Sequence, residues 1–303
     1  MPARQLPLFA VVAVLWGLPY LLIEVALTGF DSVFVVWVRV ALAAAVLVAV
    51  VGPRALARSL RGRLRAMVGF AVVQFTLPFL LIAEGERTIP SSLAGILIAS
   101  EPLWIALLAF GVDRTQRTGA AGVAGLLVGL VGVGALLGVE ATSSAGGAML
   151  VLAAAGSYAL ATLLVARLAA HVPLLHLVTV GLAIAALTLL PAVIASPPSE
   201  APGLSAIAAL GGLALVCTAL AFPLWFALID RVGAARASLV TYASPVVAVA
   251  LGVVVLGERL TALAPLGLGL ILAGSWLASR AGGTTRAEAS VARGELADAR
   301  VRT

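Results

Sequence analysis

EPLWIALLAF, residues 101–110, and SPVVAVALGV, residues 244–253, decide the architecture when one is laid over the other. Each is apolar with a proline in second place, Pro102 and Pro245. Sliding the chain over itself by about 142 residues also lays VRVALAA (38–44) on VGLAIAA (180–186). The same slide lays GLLVGLVG (125–132) on GLGLILAG (267–274) and matches both terminal glycines. One nearly constant offset over three stretches reads as an internal repeat.

Composition fixes the medium. Of 303 residues, 62% are hydrophobic and only 11% charged, and mean hydropathy is +1.17. Soluble domains are about half apolar and about a quarter charged, so the chain reads as a polytopic membrane protein, all-α. A span needs about 20 mostly apolar residues. Ten stretches qualify: 6–28, 33–51, 66–83, 91–111, 119–138, 147–170, 173–195, 204–228, 237–256 and 263–278. The opening MPARQLPLFAVVAVLWGLPY lacks a small-x-small cleavage site and reads as a retained first helix. Five spans fall in each repeat, 6–138 and 147–278, so the second enters the bilayer from the opposite side. Such inverted repeats mark alternating-access transporters, with a site near the midplane between the halves. A duplication serving structure alone is the other reading.

The arginines set the orientation. All nineteen basic residues are Arg. With the N-terminus inside, sixteen fall on the inner side, while only Arg87 and Arg259 fall outside and Arg39 lies within a span. That asymmetry places both termini in the cytoplasm of a cell inner (plasma) membrane. It also explains the net charge of +6 by topology and anionic lipid at the inner face, without a nucleic-acid partner. The tail, 279–303, mixes Arg and acid with Ala and Gly and reads as mobile at that surface, or as a partner-binding tail. Cys217 lies alone in an apolar run, so no cysteine framework or metal site is expected. No cofactor is expected either.

The pieces together resemble the drug/metabolite transporter superfamily, EamA type. The resemblance rests on LWGLPYLLIEVAL (15–27), Arg39, SSLAGILIASEPLWIALLA (91–109) and GAARASLVTYASPVVAVALGVVVLGERLT (233–261), and covers roughly residues 6–280. LGERLT is its most specific part; where the first half should carry the same turn it has GVDRTQR (111–117). The resemblance implies two five-helix domains and secondary transport, usually export, of small metabolites or drugs.

Charges within spans are expensive and functional by default. Glu24, Arg39 and Glu101 qualify. At 1.5 Å per residue, Arg39 lies about 12 Å and Glu101 about 16 Å from the outer entry of their helices, depths that permit a pair. Such a pair would either fix helix packing or act as a gate or binding pair. Pro102 and Pro245, with Pro19 and Pro223, are candidate helix kinks. Trp16, Tyr20, Gln74, Trp104, Tyr158, Thr162, Thr218, Tyr242 and Ser244 fall near the midplane and are candidate pocket-lining groups, though packing or interhelical hydrogen bonds would use them equally well. Gly125/Gly129 and Gly134/Gly138 have the spacing of close helix contacts within a monomer or across a homodimer.

Rival functions lack their residues. The two histidines, His171 and His176, sit at the inner end of the seventh span, and no GxSxG or HExxH spacing occurs. A channel should repeat polar residues along a pore; here midplane polarity is sparse. The sequence therefore predicts an inverted-repeat secondary transporter, most simply an exporter of a small metabolite, amino-acid-like compound or drug. Its driving force would be a proton gradient or the solute's own gradient.

Overall fold

The computed structural model describes residues 3–112, 120–139, 145–168, 172–196 and 202–278. Among the described residues, seven helical segments are long and apolar enough to cross a membrane: Ala3–Leu27, Ser32–Val51, Leu64–Gly85, Ser91–Leu108, Ala145–Thr162, Leu174–Ala195 and Leu204–Val232. Three shorter apolar helices, Gly122–Leu136, Val240–Leu256 and Leu263–Ala278, stand where the fifth, ninth and tenth spans were predicted. Large apolar side chains face outward, as lipid requires; Leu204 and Val254 are each 81% exposed. The turn residues Asp113–Arg117, His171 and the tail 279–303 lie outside the described residues.

Glycine contacts carry the repeat into three dimensions. A methyl group on Gly125 would stand 2.7 Å from the Gly274 carbonyl oxygen, and one on Gly132 would stand 2.9 Å from that of Gly267. The repeat alignment pairs Gly125 with Gly267 and Gly132 with Gly274, so each contact is the image of the other. Early residues of one helix meet late residues of its partner, so the fifth and tenth spans cross antiparallel, as inverted repeats must. Elsewhere Gly17 of the first span meets the Ser244 carbonyl and Val247 of the ninth, and Gly95 of the fourth meets Ala248 of the ninth. Backbones approach closely because these positions carry no side chain.

The four prolines sit in different local settings. The fourth span does break, at Ala99–Ser100, between Ser91–Ile98 and Glu101–Val112. Pro102 thus sits in the first turn of a new helical piece, where a missing N–H costs nothing. The carbonyl of Ala99 accepts the Ser275 hydroxyl at 3.1 Å, and that of Leu97 accepts the Ser100 hydroxyl at 2.6 Å. Pro245 and Pro19 lie inside Val240–Leu256 and Leu6–Leu27, which stay helical on both sides of them. The irregular turn of the ninth span lies earlier, at Ser238–Leu239.

The third and eighth spans share another irregularity. Each contains a π-helical turn, Val72–Thr76 and Leu215–Leu220, followed within three residues by Pro78 or Pro223. Pro223 therefore follows a widened turn, in the unbroken piece Ala221–Val232. A short helix absent from the sequence expectations, Pro53–Leu60, follows the second span. It carries Arg54 and Arg58, buries Leu56, and is tied to the seventh span where Ser59 Oγ meets His176 Nδ1 at 3.0 Å. A basic amphipathic helix of this kind suits a membrane surface.

Candidate functional site

The π turns place polar groups inside the bundle. At the first, the Leu77 N–H bonds the Val72 carbonyl five residues back. The next N–H would have served Val73, but that residue is Pro78 and has none. The orphaned Val73 carbonyl accepts the Ser157 hydroxyl of the sixth span at 2.7 Å. Ser157→Ala is therefore expected to lose about 1–3 kcal/mol of stability, read as a lower thermal unfolding midpoint in detergent. An unchanged midpoint would show that the carbonyl finds another donor.

At the second π turn, the Thr218 hydroxyl donates to the Leu213 carbonyl at 2.8 Å and accepts from Arg39 Nε at 3.0 Å. Arg39 is only 7% exposed, and its guanidinium carbon stands 3.7 Å from the ring centroid of Phe79. Stacking on an aromatic face and one hydrogen bond hold the cation. Arg39 has no carboxylate within ion-pair distance: among the described residues the one ion pair joins Arg87 to Glu84, 3.5 Å apart on an exposed turn. Tyr158, Cys217, Tyr20 and Glu86 lie within electrostatic reach of Arg39.

The predicted Arg39–Glu101 pair is not formed. Glu101, half-buried, takes the Thr162 hydroxyl at 3.3 Å. The break at Ala99–Ser100 starts a new helix at Glu101 and turns this side chain toward the sixth span. Arg39 faces the third and eighth spans instead. Tyr158 lies within electrostatic reach of both charges.

The other predicted pocket residues divide. Tyr20 is buried near Gly95, and Tyr158 packs on the main core that contains Phe75 and Phe79. Trp104 packs over Gly156. Trp16 stands 4.5 Å, centroid to centroid, from Trp225 in a separate small cluster with Val12, Leu228 and Val240. Gln74 is half-buried within the first π turn, and Tyr242 and Ser244 are half-buried on the ninth span. The structure thus gathers Tyr20, Arg39, Tyr158 and Thr218, and leaves Trp16 elsewhere.

A second polar cluster sits at the Arg-poor end, and the sequence reading assembled none of it beyond Glu24. Gly257, at φ +69°, stops the ninth span in a left-handed turn suited to glycine. The Glu258 N–H closes the turn on the Gly252 carbonyl at 3.1 Å. Its carboxylate then reaches the N-terminus of the fourth span: it accepts Ser91 N–H at 2.9 Å, Ser91 Oγ–H at 2.7 Å and Ser92 N–H at 3.1 Å. Glu24 accepts the same Ser91 N–H at 3.1 Å. This gives the LGE signature a physical reading: Gly turns the chain, and Glu caps a helix in the other half. Burial alone would raise the Glu258 carboxyl, but the Ser92 and Ser91 hydrogen bonds outweigh it and hold it below the usual carboxylate range.

Glu86 ends the third span beside this cluster. It is 5% exposed, and neither carboxyl oxygen has a hydrogen-bond partner. Burial pushes its carboxyl well above the usual range; Glu24 pushes it further, Arg39 pulls it back, and Glu258 adds a smaller push upward. The signal in the sequence was weak, because an acid just past a span end reads as solvated.

The comparisons agree with this architecture. The EamA-like transporter family matches residues 5–138 and 145–280, one match per repeat. The "Uncharacterized inner membrane transporter YedA" of Escherichia coli (strain K12) is 28% identical over 278 residues, 89% of each chain. A "Probable amino-acid metabolite efflux pump" of Salmonella typhimurium is 29% identical over 283 residues, covering 88% of this chain and 91% of the pump. A solved structure, "Crystal structure of protein", superposes with a TM-score of 0.64 at 23% identity, covers 92% of this chain and 98% of its own, and shares the fold. Two family matches spanning nearly all of the membrane-embedded chain show that this protein belongs to the EamA-like transporter family of the drug/metabolite transporter superfamily, and is a membrane transporter.

Proposed function

We propose that the protein is a secondary transporter that exports a small, carboxylate-bearing, amino-acid-like metabolite by alternating access, with both termini in the cytoplasm. The observation that carries this reading is Arg39. A buried cation without a carboxylate partner is costly in a membrane, and its partner in the working cycle is then the solute. Residues of both halves hold it: Phe79 from the first and Thr218 from the second. Aromatic groups around it (Tyr20, Phe75, Phe79, Phe222) supply the apolar walls usual in ligand sites. The name of the Salmonella relative, an amino-acid metabolite efflux pump, points the same way.

The test uses three matched solutes in proteoliposomes: leucine, its decarboxylated amine 3-methylbutylamine, and its deaminated acid 4-methylpentanoate. Leucine and the acid are expected to move, and the amine to lag at least about tenfold, the equivalent of 1.4 kcal/mol of discrimination. Transport of the amine alone, or of none of the three, would sink this reading.

A further inference from the structure

We propose that Glu86 is a proton-binding site linked to opening of the transporter at its Arg-poor end: neutral while that end is closed, ionised when it opens to water. The proposal rests on the transport reading for its place in a cycle, but its chemistry stands on the geometry.

The first step is desolvation. A carboxylate taken out of water without donors costs several kcal/mol or more, and a protein avoids that cost by keeping the group neutral. Both Glu86 oxygens are buried and unpartnered. Gly85, the residue before it, is pressed on the sixth span: a methyl group there would meet the Gly147 carbonyl at 2.9 Å. The backbone next to the carboxyl is therefore packed tightly on the sixth span.

The surrounding charges favour the neutral form. From the first span, Glu24 and Tyr20 face it; from the second, Arg39; from the turn after the ninth, Glu258. On its own turn, Glu84 and Arg87 pair outside at 51–56% exposure. The sixth span presents Gly147 and Val151 there and no titratable group. Arg39 is the one attraction, and it is already engaged by Thr218 and Phe79. Among the described residues no group of three or more His, Cys, Asp or Glu is arranged for a metal ion. The cation that suits this site is a proton.

The neighbouring acids tie the site to the seam between the halves. Glu24 and Glu258 share one amide, Ser91 N–H, at 3.1 and 2.9 Å. Two carboxylates so close do not both ionise freely and titrate as a pair. Glu258 belongs to the second half; Glu24, Glu86 and Ser91 belong to the first. Separation of the halves at this end withdraws Glu258, admits water to Glu86, and releases one proton from its carboxyl to that water. Closure takes the proton back. Alkaline conditions at this face therefore favour the open form, and acid conditions the closed one.

Infrared spectroscopy of the purified full chain tests this without a solute. Wild type is expected to show the carbonyl stretch of a protonated carboxylic acid at neutral pH. The band should lose one component in Glu86→Gln, keep that component shifted in Glu86→Asp, and keep it in Glu24→Gln and Glu258→Gln. Loss of the Glu24 charge should move its disappearance to lower pH, and more so than loss of the Glu258 charge. Labelling of Leu93→Cys by an impermeant maleimide, in a Cys217→Ala background, should speed up with pH over the same range and become slow and flat in Glu86→Gln. No acid band in wild type, a band left unchanged by Glu86→Gln, or labelling of the Leu93→Cys protein unaffected by pH overturns the proposal. Failure of the solute panel with these results intact would remove the substrate assignment and leave the proton site standing.

Discussion

Gly274→Leu is expected to unfold or aggregate on extraction, while Gly269→Leu, five residues earlier on the same helix, behaves as wild type. A β-carbon at Gly274 would lie 2.5 Å from the Gly125 carbonyl oxygen, 2.5 Å from the Gly129 nitrogen and 2.7 Å from the Gly129 α-carbon. All three are backbone atoms, so no side chain can rotate away to make room. The fifth and tenth spans would have to separate and give up one of the contacts that join the two repeats. Overpacking costs about 1–3 kcal/mol where side chains can adjust; here the cost should sit at or above the top of that range. Gly269 has nothing within 4 Å of the same position, and a leucine there enters lipid at a cost within about 0.5 kcal/mol. Thermal unfolding of both variants in one detergent checks the contrast. Equal midpoints would mean that the glycine seam does not hold the halves together.

That seam was legible in the sequence, because the aligned glycines Gly125/Gly267 and Gly132/Gly274 sit at the ends of two matched stretches. The proline pattern was legible only in part. Matched prolines at 102 and 245 suggested matched kinks, yet only the first accompanies a break. The true structural match lies in the third and eighth spans, where a π turn precedes Pro78 or Pro223. A missing N–H has several local solutions, and the choice among them depends on donors from other helices, such as Ser157 for Val73.

The site was legible to the extent that a charge within a span is conspicuous. Arg39 met that test and sits in the centre of the polar interior. Its proposed partner did not follow, because depth along the membrane normal is one coordinate and the direction around the helix axis is another. Glu101 and Arg39 share a comparable depth and face different neighbours. Glu86 failed the same test for the opposite reason: it lies one residue past the end of its span, where acids are normally hydrated. Only the packing of Gly85 against Gly147, and of Glu24 and Glu258 around Ser91, reveals that this helix end is buried.

Arg39→Met should separate stability from transport. Methionine keeps the length and apolar stem of the side chain and removes the charge. Because no carboxylate pairs with Arg39, the substitution strands no opposite charge. The Thr218 hydroxyl still has the Leu213 carbonyl to bond, so it is not orphaned either. Replacement of buried charge by well-packed apolar groups is often neutral or stabilising by about 1–4 kcal/mol. The unfolding midpoint of Arg39→Met is therefore expected to equal or exceed that of wild type. Transport is expected to move the other way. Loss of one partner of a desolvated charge pair costs about 2–5 kcal/mol of interaction, which is a fall of roughly 30-fold or more in leucine flux in proteoliposomes. Arg39→Lys should recover little, since an ammonium lacks both the planar face that stacks on Phe79 and the Nε–H that meets Thr218. A variant that loses stability and transport together would assign Arg39 to the architecture, and one that keeps both would remove it from the solute path. A stable, inactive protein is the outcome that a buried, unpaired cation held by both halves predicts.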